Sequence, residues 1–225
     1  MRINKFIAQA TGLSRRAADQ AIADGRVTRN SRPAAMGDVV AYADVVQLDG
    51  QVLQLPATAQ TIILNKPRGY ICSRNGQGSQ TIYDLLPKHL HQLKPVGRLD
   101  KDSSGLLVLT DDGQLANQLA HPSSAKQKVY EITLDKPLTD HARAAIASGV
   151  PVEDYTSHLQ LSISGNNTSE TSGRNWCVTM AQGRNRQIRR TFEALGYTVT
   201  RLHRTAFGPF SLGQLGIGET QEVTP

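Results

Sequence analysis

The sequence predicts an α+β fold in two units, a small N-terminal module and a larger unit with a mixed, mainly antiparallel sheet flanked by helices. Three observations carry this. Val129–Leu134 alternates in polarity as a half-buried strand does. Helix-like and strand-like segments rarely follow one another as βαβ units, which disfavours a doubly wound parallel sheet. The run Leu55-Pro56-Ala57-Thr58-Ala59-Gln60 is small, polar and broken by proline, so residues 56–60 are expected to link a module over 1–55 to a unit over 61–225. A chain of 225 residues can hold one domain, or a small one and a medium one.

The elements are expected in the following order. Residues 2–10 and 14–24 read as short helices, with Phe6, Ala10, Ala17, Ala18, Ala21 and Ile22 at helical spacing, Ser14 as an N-cap and Gly25 as a stop. Arg26-Val27-Thr28 begins a strand that turns near Asn30-Ser31, and Asp44–Leu48 forms another, ended by Asp49-Gly50. Thr61–Asn65 reads as a buried strand, with Lys66–Tyr70 as a turn leading into a further one. Leu106–Thr110 is a strand and Gln114–Ala120 a short helix. Thr139–Ser148 is a helix ended at Gly149. Leu159–Ile163 and Trp176–Met180 flank a Ser/Gly/Asn/Thr loop, Ser164–Asn175, expected to be a flexible hairpin tip. Gln187–Leu195 is a helix stopped at Gly196, and Tyr197–Leu202 a strand.

Composition narrows the function. No apolar run approaches the roughly 20 residues that a membrane span needs, and Met1-Arg2-Ile3-Asn4-Lys5 leads into no h-region, so no membrane partner and no signal peptide are expected. The two cysteines, Cys72 and Cys177, form no CxxC pair, which suits a reducing cytoplasm and argues against a disulfide framework or zinc ribbon. His89 and His91 lack cysteines or acids at ligand spacing, so no metal is expected. Gly76-Gln77-Gly78 lacks the rest of a dinucleotide loop, and neither a GK[ST] nor a GxSxG motif occurs.

The formal charge of +6 is unevenly spread. Residues 1–32 carry seven basic side chains, Arg2, Lys5, Arg15, Arg16, Arg26, Arg29 and Arg32, against Asp19 and Asp24. Residues 184–204 carry six, Arg184, Arg186, Arg189, Arg190, Arg201 and Arg204, against Glu193. The planar guanidinium fork suits phosphate and base edges. Two such clusters favour a polyanion partner over a merely solvated basic face.

The most informative stretch is Gly97-Arg98-Leu99-Asp100-Lys101-Asp102-Ser103-Ser104-Gly105-Leu106-Leu107, a loop that displays a carboxylate between an arginine and an apolar run. With Gly183-Arg184-Asn185-Arg186-Gln187-Ile188-Arg189-Arg190, Lys128-Val129-Tyr130 and Leu64-Asn65-Lys66-Pro67-Arg68-Gly69, it resembles the ribosomal RNA pseudouridine synthases of the RsuA/RluB/RluE/RluF family. The matching patterns are GRLD-x-x-[ST]-x-GLL, GR-x-[HR]-Q-[IVL]-R, K-x-Y and LNKP-x-G. The N-terminal unit resembles an S4-type RNA-binding module through Arg2–Ile7, Leu13–Ala18 and Ile22–Val27. Its Arg2, Lys5, Arg15, Arg16, Arg26 and Arg29 are the expected RNA contacts, made by shape and charge. Asn30-Ser31 stands where that module more often has Asn-Gly.

The resemblance spans residue 2 to about 218 and implies a cofactor-free isomerase. The N1–C1′ bond of a uridine breaks, the base turns over, and a C5–C1′ bond forms. Asp100 is the implied catalytic carboxylate, Arg189 its ion-pair partner and Tyr130 the residue that packs on the base and handles the proton at C5. A carboxylate in a dry pocket would otherwise be neutralised, hence the need for a fixed cation. Asp102, two residues on, would point away from Asp100 in an extended backbone and is expected to be structural, not half of a glycosidase pair. Lys128 shares the Tyr130 face. Ile188 would line the base pocket, Arg184, Arg186 and Arg190 would contact phosphates, and Lys66, Arg68, Arg98, His203 and Arg204 would brace RNA around a flipped base. Ser103 replaces the usual threonine, and Gln221 stands where arginine is common. The implied partner is ribosomal RNA or a ribosome assembly intermediate, engaged by a monomer. The GRNRQIRR wording leans to the large-subunit 23S RNA over 16S, while the short tail leans the other way. The rival reading is a non-catalytic RNA-binding assembly factor that keeps the fold.

Overall fold

The computed structural model describes residues 1–55, 58–121, 126–153, 155–163 and 173–224. Part of the expected 56–60 linker and most of the expected 164–175 hairpin tip therefore lie outside the described residues. The N-terminal unit opens with α1 (Ile3–Thr11) and α2 (Arg15–Ala23), whose Ser14 N-cap side chain accepts from the Ala17 amide. Strands β1 (Val27–Arg29), β2 (Arg32–Pro33), β3 (Val46–Leu48) and β4 (Gln51–Val52) pair in the order β2-β1-β3-β4. The two tight turns sit where sequence places them, with positive φ at Asn30, Ser31, Asp49 and Gly50. Ile3, Ile7, Ala18, Ile22, Val27 and Val46 form a core of their own.

The larger unit begins at β5 (Thr61–Lys66), whose six residues are all buried, as a central strand demands. The strand expected after the Lys66–Tyr70 turn reduces to a single bridge between Ile71 and Thr81, followed by 3₁₀ turns at Ile82–Leu85 and Lys88–Leu90. Then come β6 (Lys94–Pro95), β7 (Ser104–Thr110), α3 (Gly113–Ala120) and β8 (Lys128–Leu134). Next are α4 (Asp140–Ser148), the hairpin β9 (Val150–Val152) with β10 (Tyr155–Ser157), β11 (Gln160–Ile163) and β12 (Asn175–Met180). The chain ends with α5 (Gln187–Ala194), β13 (Val199–Phe207), β14 (Phe210–Ser211) and β15 (Thr220–Glu222). The sheet runs β11-β12-β8-β13-β7-β5-β15, and its β13–β7 pairing is parallel while the others are antiparallel. This is the mixed sheet the sequence predicts.

Helices cover both faces. Ile188 and Phe192 of α5 and Ile146 of α4 bury against Tyr130, Ile132, Val178 and Leu202. Leu115 and Leu119 of α3 pack with Leu106, Val108 and Phe207. The alternation read in β8 is real: Tyr130, Ile132 and Leu134 are buried, and the residues between them are half exposed. The β9–β10 hairpin was not expected, because its strands are three residues long and β9 carries a proline.

The tightest point of the sheet is Gly105. Its φ is +105°, and a Cβ there would lie 2.2 Å from the Arg204 carbonyl oxygen of β13. Only glycine allows β7 and β13 to approach so closely. Gly105→Ala is expected to destabilise the protein by about 3 kcal/mol or more, read as a lower midpoint of urea unfolding with an unchanged slope. A midpoint within error of wild type would show that the strands can separate without cost.

Candidate active site

Residues 97–103 leave β6 and enter β7, and their shape is set by backbone anchors. Gly97 takes a φ of +72°. The Ser103 amide donates to the Asp100 carbonyl at 3.1 Å, closing a turn over Lys101 and Asp102. From the end of β5, Lys66 reaches under this turn. Its Nζ donates to the carbonyls of Pro67 at 3.1 Å, Asp100 at 3.1 Å and Ser103 at 2.8 Å. The Gly69 amide donates to the Lys101 carbonyl at 2.7 Å, and the Cys72 thiol meets the Leu99 backbone at 3.4 Å.

Two expectations need correction here. Lys66 is 0% exposed, so it cannot touch RNA and instead braces the loop. Burial lowers its pKa, opposed first by Cys72 and then by the charges of Asp100 and Asp102. The backbone from Asp100 to Asp102 is turned, not extended, so the two carboxylates do not diverge. A single guanidinium, Arg186, reaches both: its Nη1 lies 3.5 Å from Asp100 Oδ2 and 3.3 Å from Asp102 Oδ1.

Arg189 does not pair with Asp100 as expected. It is the third residue of α5, where its Nη1 donates to the Val199 carbonyl at 2.6 Å and its Nη2 lies 3.1 Å from Asp102 Oδ2. The Arg189 side chain is 12% exposed against 44% for Arg186, which follows from their places inside the helix and at its entry. Arg186 adopts a left-handed φ of +48°, which aims it back over the turn. Burial lowers the Arg189 pKa, with Asp102 and then Asp100 pulling the other way. Burial also resists ionisation of Asp102, yet the Arg186 hydrogen bond and the charges of Arg189 and Arg186 outweigh it and hold that carboxyl below the usual range.

These pieces border a cleft of about 390 Å³. Asp100, with 28% of its side chain exposed, forms one wall with Arg98 and Leu99. Tyr130 from β8 and Ile188 from α5 line it as expected, and so do Met180 and Leu202, which sequence reading missed. Those two are apolar residues at strand positions and carry no motif signal of their own. Gln187 closes the α5 entry: its Oε1 accepts the Arg184 amide at 3.1 Å and its Nε2 donates to Ser157 Oγ at 3.2 Å. Arg184 lines the cleft with its guanidinium stacked 4.3 Å from the Tyr155 ring centroid. Arg190, expected on phosphate, is instead paired with Glu153. Lys128 lies beside the cleft and donates to the Ala181 carbonyl at 3.2 Å. His203 hydrogen-bonds Ser104 at 2.9 Å, and Arg204 is buried at 2% exposure, so neither is the open backbone contact expected of it.

In the N-terminal unit Arg2 and Arg16 are exposed. Arg26 is paired with Asp49, and Arg29 donates to the Val39 carbonyl at 2.6 Å. Lys5 and Arg15 face a recess shared with Gln92, Lys94 and Asp111 of the larger unit. Among the described residues, no group of three or more His, Cys, Asp or Glu side chains could hold a metal, and no helix is long and apolar enough to cross a membrane.

Residues 60–194 match the family model described as RNA pseudouridylate synthase. The chain is 36% identical over 226 residues to the dual-specificity RNA pseudouridine synthase RluF of Salmonella typhi, covering 99% of this chain and 75% of that protein. It is 35% identical to the ribosomal large subunit pseudouridine synthase B of Pseudomonas aeruginosa, covering 99% of this chain and 59% of that protein. A crystal structure titled as a pseudouridylate synthase superposes with a TM-score of 0.70 at 32% identity, covering 100% of this chain and 96% of the other.

Two outcomes are expected from the loop geometry. Lys66→Met leaves three carbonyls without their donor and is expected to cost about 1–3 kcal/mol and to speed hydrogen exchange of the Gly69 and Ser103 amides. Unchanged exchange would mean that the turn holds itself. Ionised Asp102 contributes stability above its unfolded pKa of about 3.9, and this is lost as pH falls through the lower native value. Asp102→Asn is therefore expected to be less stable at pH 7, with urea midpoints that converge on wild type as pH drops below about 4.

Proposed function

The chain belongs to the RNA pseudouridylate synthase family, and from that premise we propose that it isomerises uridine to pseudouridine in ribosomal RNA at the Asp100 cleft. The observation that carries the reading is a part-exposed carboxylate, held by Arg186 at 3.5 Å, facing an apolar wall of Tyr130, Met180, Ile188 and Leu202. Such a site suits a flat, largely uncharged base on one side and a sugar carbon on the other.

In this reading the uridine leaves its stack and lies against Tyr130 and Ile188. Asp100 engages the sugar as the N1–C1′ bond opens. The base turns over against the apolar wall, C5 bonds to C1′, and the C5 proton leaves while N1 acquires one. Tyr130 is the proposed group for the C5 proton. Arg186 takes the place assigned from sequence to Arg189 as the direct partner of Asp100. Arg189 acts through Asp102 as a positioning residue. Arg98 and Arg184 at the rim, with Lys128 beside it, hold the RNA backbone. The N-terminal residues 1–55, S4-like in sequence, dock the RNA through Arg2 and Arg16, helped by Lys5, Arg15, Arg26 and Arg29. We propose a cytoplasmic monomer acting on the large-subunit RNA or an assembly intermediate. The Pseudomonas relative, a ribosomal large subunit pseudouridine synthase by name, supports that choice of subunit.

The test is release of tritium from RNA labelled at uridine C5, on both ribosomal RNAs, their assembly intermediates and transfer RNA. Wild type is expected to release label from the large-subunit RNA. Asp100→Asn should slow release by at least about a thousandfold without loss of RNA affinity, and Tyr130→Phe by about a hundredfold. Binding without release on any RNA would favour the assembly-factor reading.

A further inference from the structure

Large apolar side chains left in water are concentrated in the N-terminal unit. Of nine among the described residues, seven lie within residues 1–55. Five of those, Met1, Met36, Val39, Tyr42 and Val45, sit on the 34–45 segment between β2 and β3 or beside it. Met1 joins them through its carbonyl, which accepts the Val40 amide at 2.8 Å. Tyr42 is the extreme case, for at 108% exposure its ring rests on no neighbour. The backbone that carries it is nonetheless tightly built. The Asp44 amide donates to the Ala41 carbonyl at 3.2 Å and the Ala41 amide to Asp44 Oδ2 at 2.9 Å, closing a turn with Tyr42 at its tip. Asn30, from the β1–β2 turn, ties this turn down: its Nδ2 donates to Asp44 Oδ1 at 2.7 Å and its Oδ1 accepts the Val45 amide at 2.9 Å. Both Asp44 oxygens are thereby occupied, and Asp38 accepts the Ala35 amide at 3.0 Å. Cations border the same segment. Arg29 donates to the Val39 carbonyl at 2.6 Å, Arg2 pairs with Val39 in an isolated bridge, and Arg32 faces Arg29 across β1 and β2. Arg2 and Arg32 are exposed and form no ion pair among the described residues.

We propose that Tyr42 is a stacking platform for an unpaired nucleobase of the RNA, at a distance from the base that reacts. The inference rests on the RNA reading above and adds to it a contact that charge and shape alone do not provide. An aromatic ring fixed in water adds nothing to the core and leaves apolar surface exposed, which marks a surface that another molecule covers. Its turn is stapled from two sides, so little ordering entropy is lost when a flat partner settles on the ring. Every base presents such a face, and only an unpaired one leaves it free, because a duplex buries its base faces in the stack. Val39 and Val45 extend the apolar surface beyond the ring edge, and the unpaired cations Arg2 and Arg32 suit the phosphates that must accompany any base. A stable protein partner would need about 800 Å² of complementary surface, far more than one projecting turn supplies.

The experiment compares filter binding of unmodified large-subunit ribosomal RNA with that of a fully paired RNA duplex, over roughly 50–200 mM salt and separately from tritium release. Tyr42→Ala is expected to weaken binding to the ribosomal RNA by about fivefold to a hundredfold. The slope of log affinity against log salt should not change, because no phosphate contact is lost. Binding to the duplex should stay as in wild type, and Tyr42→Phe and Tyr42→Trp should keep full affinity for both. A residue this exposed is not needed for folding, and an unchanged urea midpoint checks that. Wild-type affinity of Tyr42→Ala for the ribosomal RNA overturns the proposal. So does an equal loss on the duplex, which would put the ring against a groove, or an equal loss in Tyr42→Phe, which would make the contact a hydroxyl hydrogen bond. A loss seen only on protein-bearing assembly intermediates overturns it as well, by placing a protein on the ring. Wild type that releases no tritium, while Tyr42→Ala shows the expected loss of binding, would count against the isomerase reading alone.

Discussion

The site depends on one buried ammonium. Lys66 has no exposed surface and spends its three donors on three backbone carbonyls, two of them at the ends of the Asp100–Ser103 turn. Loops that carry reactive groups are ordinarily the mobile parts of a protein. Here a strand buried along its whole length supplies the fixed point, so the reactive loop inherits the rigidity of the sheet. In the proposed reaction the carboxylate would thereby be held in place before substrate arrives, as preorganisation requires.

Much of this was legible in the letters. The α+β class, the two turns of the N-terminal unit, the alternation of β8 and the Gly196 stop of α5 follow from local patterns, and local patterns are what a sequence displays directly. Asp100, Tyr130 and Ile188 meet in one cleft, as the motifs imply. What failed depended on conformation or on distant neighbours. The Asp100–Asp102 pair was read as extended, and one turn hydrogen bond reverses that geometry. Lys66, Arg190 and Arg204 were read as RNA contacts because they are cations near a motif. Their burial or their partner, Glu153 in one case, is decided by segments more than 30 residues away. Which arginine of the 184–190 run meets Asp100 turned on the left-handed backbone of Arg186, which no residue preference announces.

Positive charge is layered through the larger unit in two kinds. Arg98, Arg184 and Arg186 stand at the surface, where salt screens them and where they steer a polyanion toward the cleft. Lys66 and Arg204 lie beneath, out of reach of screening, and fix the potential at short range.

The parallel pairing of β7 with β13 has one more consequence, which concerns assembly of the chain. Ser104 and Gly105 meet His203 and Arg204 across about a hundred residues of intervening sequence. Tyr130 then reaches the same cleft through β8, and Ile188 through α5, so its walls come from segments widely separated along the chain. Contacts of such high sequence separation close late, because the chain entropy of the loop must be overcome before the contact gives any return. The cleft therefore comes into being only as the whole larger unit folds. A nascent or partly folded chain can expose its basic N-terminal face, yet it has no competent site with which to alter RNA.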